Sequence, residues 1–95
     1  METKESYQQI TEEKLKELNS KIEKLSKLAD RTDSEARRQY LETIGGLKCK
    51  REAVIELIEE FKHAKEDQWK SLKDRIEEVK AELESGIDAT ISRFP

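Results

Sequence analysis

The sequence predicts an all-α, elongated antiparallel helical hairpin with coiled-coil character. Charged residues make up 43% of the chain and hydrophobic residues 34%, and the mean hydropathy is −0.96. This composition is typical of long helices that pack along narrow apolar seams. The apolar residues recur at helical spacing, and between Phe61 and Phe94 they repeat every eleven residues. An eleven-residue period keeps one apolar stripe on one side of a helix, so we expect a surface that packs against other helices.

The first helix is predicted to cover about residues 5–64. Its early part carries apolar residues at alternating spacings of three and four, with Lys and Glu at most other positions. On one helical wheel, Leu18, Leu47 and Phe61 point within about 40° of a common direction. A turn near residues 30–34 would not be expected to keep the apolar residues before and after it in the same wheel direction. We therefore expect the helix to be continuous.

Two other positions in this segment are candidate turns. Thr32-x-x-Glu35 matches a capping box, and a helix that starts there gives the alternative fold, a three-helix bundle with helices over residues 5–30, 34–63 and 67–94. Gly45-Gly46 is the other candidate, but no Asn, Asp, Ser or Pro stands beside it to build a turn. A close helix crossing and a tolerated weak point are the remaining interpretations of this glycine pair.

The second helix is predicted over about residues 67–94, after a corner at residues 64–67. Asp67 is the expected cap of a helix that begins at Gln68, and the only proline, Pro95, follows the helix. Folding back at this corner sets apolar residues of the last segment against apolar residues of the middle segment. The predicted pairs are Ile58 with Leu72, Val54 with Ile76, Leu47 with Leu83, Ile44 with Ile87, and Tyr40 with Ile91.

Such a hairpin leaves residues 1–33 projecting with an uncovered apolar face. We expect this face to bind the same segment of a second chain, giving a homo-dimer or higher homo-oligomer, with another helical protein as the other candidate partner. The predicted function is therefore that of a non-catalytic coiled-coil scaffold or protein–protein interaction module. The predicted interaction seam consists of Leu15, Leu18, Ile22, Leu25, Tyr40, Ile44, Leu47, Val54, Ile58, Phe61, Trp69, Leu72, Ile76, Leu83 and Ile87.

The charge distribution argues against nucleic acid and against anionic membranes as partners. Residues 1–32 and 33–65 each hold seven acidic and seven basic residues, and residues 66–95 hold eight acidic and five basic ones. Without a basic stripe, the chain lacks the usual feature of nucleic-acid-binding proteins. Amphipathic helices with an eleven-residue period resemble those that lie on lipid surfaces, so a lipid-surface role is the alternative function. The acidic polar face of residues 66–95 disfavours it.

Glu60-Phe61-Lys62-His63 is the one sequence with metal-ligand spacing. An E-x-x-H on a helix offers a carboxylate and an imidazole to one iron in ferritin-like carboxylate proteins, which makes a metal carboxylate protein a further alternative. The helical wheel places Glu60 and His63 on the flank that faces water, whereas such a site needs inward ligands. We therefore expect no metal and no cofactor.

Cys49 is the only cysteine, which rules out an internal disulfide and suits a reducing compartment. Three basic residues, Lys48, Lys50 and Arg51, stand beside it, but no second Cys or His lies at a catalytic spacing. Met1 is not followed by an apolar segment, and no apolar run is long enough to span a bilayer. We expect a cytoplasmic protein without enzymatic activity.

Several segments taken together resemble small bacterial coiled-coil proteins of unassigned role. The segments are residues 35–42 (Glu-Ala-Arg-Arg-Gln-Tyr-Leu-Glu), the Lys50-Arg51-Glu52-Ala53 step and Trp69-Lys70-Ser71-Leu72-Lys73. Those proteins carry a Tyr-Glu segment, a Lys/Arg step and then Trp-x-x-Leu-Lys with eleven-residue repeats. This chain departs from them in its mid-helix glycine pair and in lacking a glycine just before the tryptophan. The resemblance implies no enzymatic activity.

Overall fold

Three helices lie side by side in the computed structural model, which describes residues 3–93, and each helix runs antiparallel to the one before it. They are α1 (Lys4–Asp30), α2 (Ser34–His63) and α3 (Glu66–Ile91). The bundle measures 50 × 19 × 16 Å, so the described part of the chain is all-α and elongated, as predicted, in the arrangement of the three-helix alternative. The predicted end of the last helix, Phe94, lies outside the described residues. No described helix combines the length and the apolar character needed to cross a membrane.

The helix predicted over residues 5–64 is divided by a turn at residues 31–33. The Thr32 hydroxyl donates to the carbonyl of Ala29 at 2.7 Å, and the Asp33 carboxylate accepts from the backbone N–H of Ala36 at 3.1 Å. Asp33 is therefore the N-cap of α2, and the predicted Thr32 capping box is wrong. The turn lets α1 bury its apolar face against its own chain. The shared wheel direction of residues on α1 and α2 therefore does not require a continuous helix.

The core consists of two clusters of buried residues, one at each end of the bundle. The first core cluster lies toward the α1–α2 turn and contains Leu18, Ile22, Leu25, Ala29, Ile44, Leu47, Leu83 and Ile87, with Tyr40 packed against it. The second core cluster lies toward the α2–α3 corner and contains Tyr7, Val54, Leu57, Ile58, Phe61 and Ile76, with Leu15, Trp69, Leu72 and Val79 packed against it. All three helices contribute to both clusters or to the residues packed on them.

The α2–α3 corner lies where the sequence predicts it. Ala64 donates its backbone N–H to the carbonyl of Phe61 at 3.2 Å, and α3 begins at Glu66. Asp67, the predicted cap, instead lies in the first turn of α3, where a carboxylate suits the helix dipole. The predicted α2–α3 pairs fall into common clusters except the last. Ile91 is 44% exposed, and Tyr40 instead donates its hydroxyl to the carbonyl of Arg93 at 2.7 Å.

The glycine pair in α2 does not form a turn, because the helix runs straight through Gly45 and Gly46. A Cβ atom added at either glycine meets nothing within 4 Å. The close approach in this bundle is at Gly86 of α3, where an added Cβ would lie 2.7 Å from Cδ2 of Leu47. The absence of a side chain at Gly86 therefore lets α3 pack against α2, whereas the space beside Gly45 and Gly46 is open.

Candidate functional site

The predicted interaction seam lies inside the bundle rather than on its surface. Leu18, Ile22 and Leu25 of α1 are at most 1% exposed and pack against α2 and α3 in the first core cluster. Leu15, Trp69 and the other less buried members of the seam are packed against one of the two clusters. The face that was expected to bind a second chain is thus covered by the helices of its own chain. A partner has to bind on a different surface.

The apolar stripe of α3 is covered in the same way. Ile76, Leu83 and Ile87 are fully buried, and Leu72 packs against the second core cluster. A helix that lies on a lipid surface buries such a stripe in the membrane. The lipid-surface interpretation therefore requires α3 to leave the bundle.

Three aromatic rings close the second core cluster beside the α2–α3 corner. The ring centroids of Tyr7 and Phe61 are 5.3 Å apart, and those of Phe61 and Trp69 are 5.7 Å apart at an interplanar angle of 82°. The ammonium of Lys73 lies 4.9 Å from the centroid of the Tyr7 ring. Edge-to-face packing and a cation over the ring face are both favourable for aromatic side chains. Trp69 thus has a packing role at this end of the bundle.

A short polar network joins α1 to α3 at the edge of this aromatic group. The Tyr7 hydroxyl donates to Oε1 of Glu77 at 2.6 Å, and the ammonium of Lys80 donates to the same oxygen at 2.9 Å. Partial burial raises the pKa of the Glu77 carboxyl, but the hydrogen bonds from Tyr7 and Lys80 and the charges of Lys80 and Lys73 outweigh it. The pKa therefore lies below its ordinary value. Glu77 is held as a carboxylate that ties α3 to α1.

Glu60 and His63, the predicted metal candidates, are both exposed at the C-terminal end of α2. They border an open cavity of about 700 Å³ together with Glu59, Ala64, Gln68 and Leu72. Within residues 3–93, no group of three His, Cys, Asp or Glu side chains is placed to hold a metal ion. The E-x-x-H pair can therefore offer two ligands on one exposed helix, and a stable site for a transition metal needs more.

The surface of α2 that points away from the core remains uncovered in the bundle, and we call it the outer face of α2. At 100° per residue, its members lie within about 40° of the direction opposite to the buried Leu47. They are Ser34, Arg38, Glu42, Gly45, Cys49, Glu52, Glu56, Glu60 and His63. All are exposed except the half-buried Gly45. Cys49 stands at the middle of this face as a free thiol.

Leu41 stands at the edge of the outer face and is 43% exposed. It lies on the flank that faces α1, the same flank that carries the half-buried Ile55 further along α2. A second cavity, of about 380 Å³, opens in the α1–α2 groove next to Ile55, and Leu15 of α1 forms its other apolar wall. Arg51 borders this cavity and donates to Oδ1 of Asn19 at 2.6 Å. The flank thus carries an exposed leucine and, further along, an open groove with two apolar residues, Leu15 and Ile55, among polar and charged ones.

The sequence interpretation did not identify this surface. It followed the continuous apolar stripe, whereas Leu41, Gly45 and Cys49 lie off that stripe. The available signal was the glycine pair itself. Both glycines stand inside a helix, Gly45 on the side opposite to the core and Gly46 off the apolar stripe, and they weaken the helix without serving its own packing.

Comparison with protein-family models, curated proteins and solved structures finds no match to this chain.

Proposed function

We propose that this chain is a non-catalytic helical interaction module of the cytoplasm that self-associates through the outer face of α2. The observation that supports this most directly is the combination of an exposed Leu41 and, on the same flank of α2, an open groove whose walls include Leu15 and Ile55. A symmetric dimer requires a surface that is complementary to itself, with a projecting group and a matching recess on each copy. The resemblance to small bacterial coiled-coil proteins fits a role without catalysis.

Small residues stand near the middle of the outer face and at its edge. Gly45 has open space where a side chain would stand, and Cys49 and the half-buried Ala53 are small. Helix axes come closer together when the side chains at the contact are small. Because a single helix face forms a modest interface, we expect a weak dimer with a dissociation constant on the order of micromolar to hundreds of micromolar.

The test is sedimentation equilibrium on the full chain from about 5 µM to about 1 mM, a range that spans the expected dissociation constants. Wild-type protein is expected to pass from monomer to dimer over this range. Leu41→Glu should abolish the dimer because it places a charge in an apolar contact. Leu28→Glu is the matched control, since Leu28 is 40% exposed but lies on α1, away from the outer face.

Three results are informative. Loss of the dimer in Leu41→Glu with an unchanged dimer in Leu28→Glu supports the proposal. A wild-type chain that remains at 11.1 kDa throughout the range contradicts self-association and points to a different helical protein as partner. Equal loss in both variants means that self-association uses another surface.

A further inference from the structure

We infer that two copies of this chain pair antiparallel along α2, about a two-fold axis that passes near Cys49, with Leu41 of each copy seated in the α1–α2 groove of the other. This inference rests on the proposed self-association and adds the orientation and register of the pair. The axis position follows from the helix itself. Residues 34–63 have their midpoint between Lys48 and Cys49, so an axis there overlaps the two helices over their whole length of about 45 Å.

The charge order along α2 favours the antiparallel orientation. Residues 34–48, before the axis, carry three basic and two acidic side chains, and residues 50–63, after it, carry three basic and four acidic ones. On the outer face itself, Arg38 lies before the axis, and three carboxylates, Glu52, Glu56 and Glu60, lie after it. Antiparallel pairing sets Arg38 of each copy against this acidic half of the other. Parallel pairing would set each of these carboxylates against its own equivalent.

Part of the charge of α2 is already paired within the chain, including Arg38 with Glu42 and Glu52 with Arg51. Lys50 lies 3.2 Å from Glu82 of α3, and Lys62 lies 3.5 Å from Glu12 of α1. Glu56 and Glu60 on the outer face make no ion pair with any other residue of the described range. The C-terminal half of the outer face therefore presents unpaired carboxylates to whatever binds there.

The register places specific charges opposite each other. Arg38 and Glu60 are each eleven residues from Cys49, about 16 Å along the helix on opposite sides, so Arg38 of one copy faces Glu60 of the other. Glu42 and Glu56 are each seven residues from Cys49, so in the same register these two acids face each other. Arg38 lies 3.8 Å from Glu42 and partly offsets that repulsion. Because Glu42 and Glu56 repel each other in this register, replacing one of them with a basic residue should tighten the dimer, and this tests the register.

Shape agrees with the same register. Gly45 and Ala53 are each four residues from Cys49, so small residues oppose each other on both sides of the axis. None of the glycines has a positive φ, so the backbone of α2 does not require Gly45. In an antiparallel two-fold pair, each side of α2 lies next to the same side of α2 in the other copy. The flank that carries Leu41 therefore meets the flank of the second copy that carries Ile55 and the cavity of about 380 Å³.

The experiment is sedimentation equilibrium on charge-reversal variants at low salt, where surface charges are least screened. Arg38→Glu and Glu60→Arg are each expected to raise the dimer dissociation constant about tenfold or more, because each change occurs twice per dimer. The double variant should return to within about threefold of wild type, since the pair is restored with its signs exchanged. Glu42→Lys should lower the dissociation constant severalfold by replacing repulsion from Glu56 with attraction. Circular dichroism checks that each variant keeps its helix content.

Cysteine cross-linking tests the position of the axis independently. Mild oxidation of wild-type protein should join two chains through Cys49, because the two thiols lie next to the axis. The matched control is the variant that combines Cys49→Ser with Ala53→Cys, whose thiols stand about 12 Å apart along the helix in this register. It should not cross-link. Adding Gly45→Cys to that control should restore cross-linking, since residues 45 and 53 then oppose each other.

The failure of this inference is distinguishable from the failure of the proposed function. A wild-type protein that never dimerises overturns both. A dimer that is insensitive to Arg38→Glu and to Glu60→Arg, and that does not cross-link through Cys49, keeps self-association but overturns the register. Cross-linking of the Ala53→Cys control as readily as wild type identifies a parallel pair, and this overturns the antiparallel orientation.

Discussion

At the scale of single residues, Thr11 is a buried polar side chain. It is 1% exposed in α1, and its hydroxyl finds no hydrogen-bond partner among the described residues. A buried hydroxyl without a partner destabilises the folded state, because it loses its bonds to water. We predict that Thr11→Val, which keeps the shape, raises the free energy of unfolding by about 1 kcal/mol in urea denaturation.

Thr90 is the matched control for this prediction. It is 2% exposed in α3, but its hydroxyl donates to the carbonyl of Gly86 at 2.7 Å. Thr90→Val should therefore leave stability unchanged or lower it. If both valine substitutions stabilise the protein equally, the missing hydrogen bond of Thr11 is not the cause.

Glu77 makes stability depend on pH in the acidic range. Its pKa lies below the ordinary value of 4.5, so the folded state holds fewer protons at this carboxyl than the unfolded state does. The resulting stabilisation is fully present above the ordinary pKa and is lost as the pH falls through the lower, folded-state value. We predict that Glu77→Gln is less stable than wild type at neutral pH, and that the difference shrinks below about pH 4.5.

The measurement is urea denaturation of both proteins at a series of pH values. Glu78→Gln is the control, because Glu78 is exposed and makes no ion pair or hydrogen bond with the described residues. It should follow the wild-type pH profile. A Glu77→Gln difference that stays constant down to the acid transition would show that the carboxylate is not held by Tyr7 and Lys80.

At the scale of the helices, Lys4 ties the beginning of α1 to the end of α2. Its ammonium donates to the carbonyls of Lys62 and Ala64 at 3.1 and 2.8 Å and lies 5.7 Å from the centroid of the Phe61 ring. A cation at the C-terminal end of a helix satisfies carbonyls that lack partners and suits the dipole. We predict that Lys4→Met lowers the free energy of unfolding by about 0.5 to 1 kcal/mol in chemical denaturation.

Lys24→Met provides the reference for Lys4→Met. Lys24 is an exposed residue of the same helix without an ion pair or hydrogen bond in the described structure, so its substitution should change stability by a few tenths of a kcal/mol at most. Equal effects of the two substitutions would mean that the contact between α1 and the end of α2 contributes nothing.

The sequence predicts which apolar residues of α2 and α3 pack in the same cluster, but it favours a continuous helix where the chain turns at residues 31–33. Leu47 and Leu83, and Val54 and Ile76, share clusters because both helices have a strong apolar period and one corner between them. The turn at residues 31–33 depends instead on one short cap by Asp33 and on the burial of α1 by distant residues. Wheel phase across residues 30–34 cannot exclude a turn, since two separate helices can keep the same phase by coincidence.

The candidate site was harder to predict than the fold for a related reason. The apolar stripe marks residues that pack, and in this chain the bundle itself covers them. Leu41 and Gly45 stand out only after the core is known, because an isolated exposed leucine is ordinary on a protein surface. The cavity beside Ile55 has no counterpart in the sequence pattern, since it depends on how α1 and α2 lie together.

At the scale of the whole molecule, the bundle and its proposed dimer differ in shape from a hairpin with a projecting arm. One chain is a rod 50 Å long with a cross-section of 19 × 16 Å. Pairing along α2 sets two such rods side by side, so mass doubles while the longest dimension changes little. A projecting helix of about 60 residues would instead extend to about 90 Å.

Small-angle X-ray scattering over a concentration series tests this account most directly, because forward scattering gives the mass and the distance distribution gives the longest dimension. The account predicts 11.1 kDa and a longest backbone dimension near 50 Å at low concentration. At high concentration it predicts about twice that mass with nearly the same length. A longest dimension of about 90 to 100 Å would contradict the closed bundle, and a mass that never rises would contradict pairing along α2.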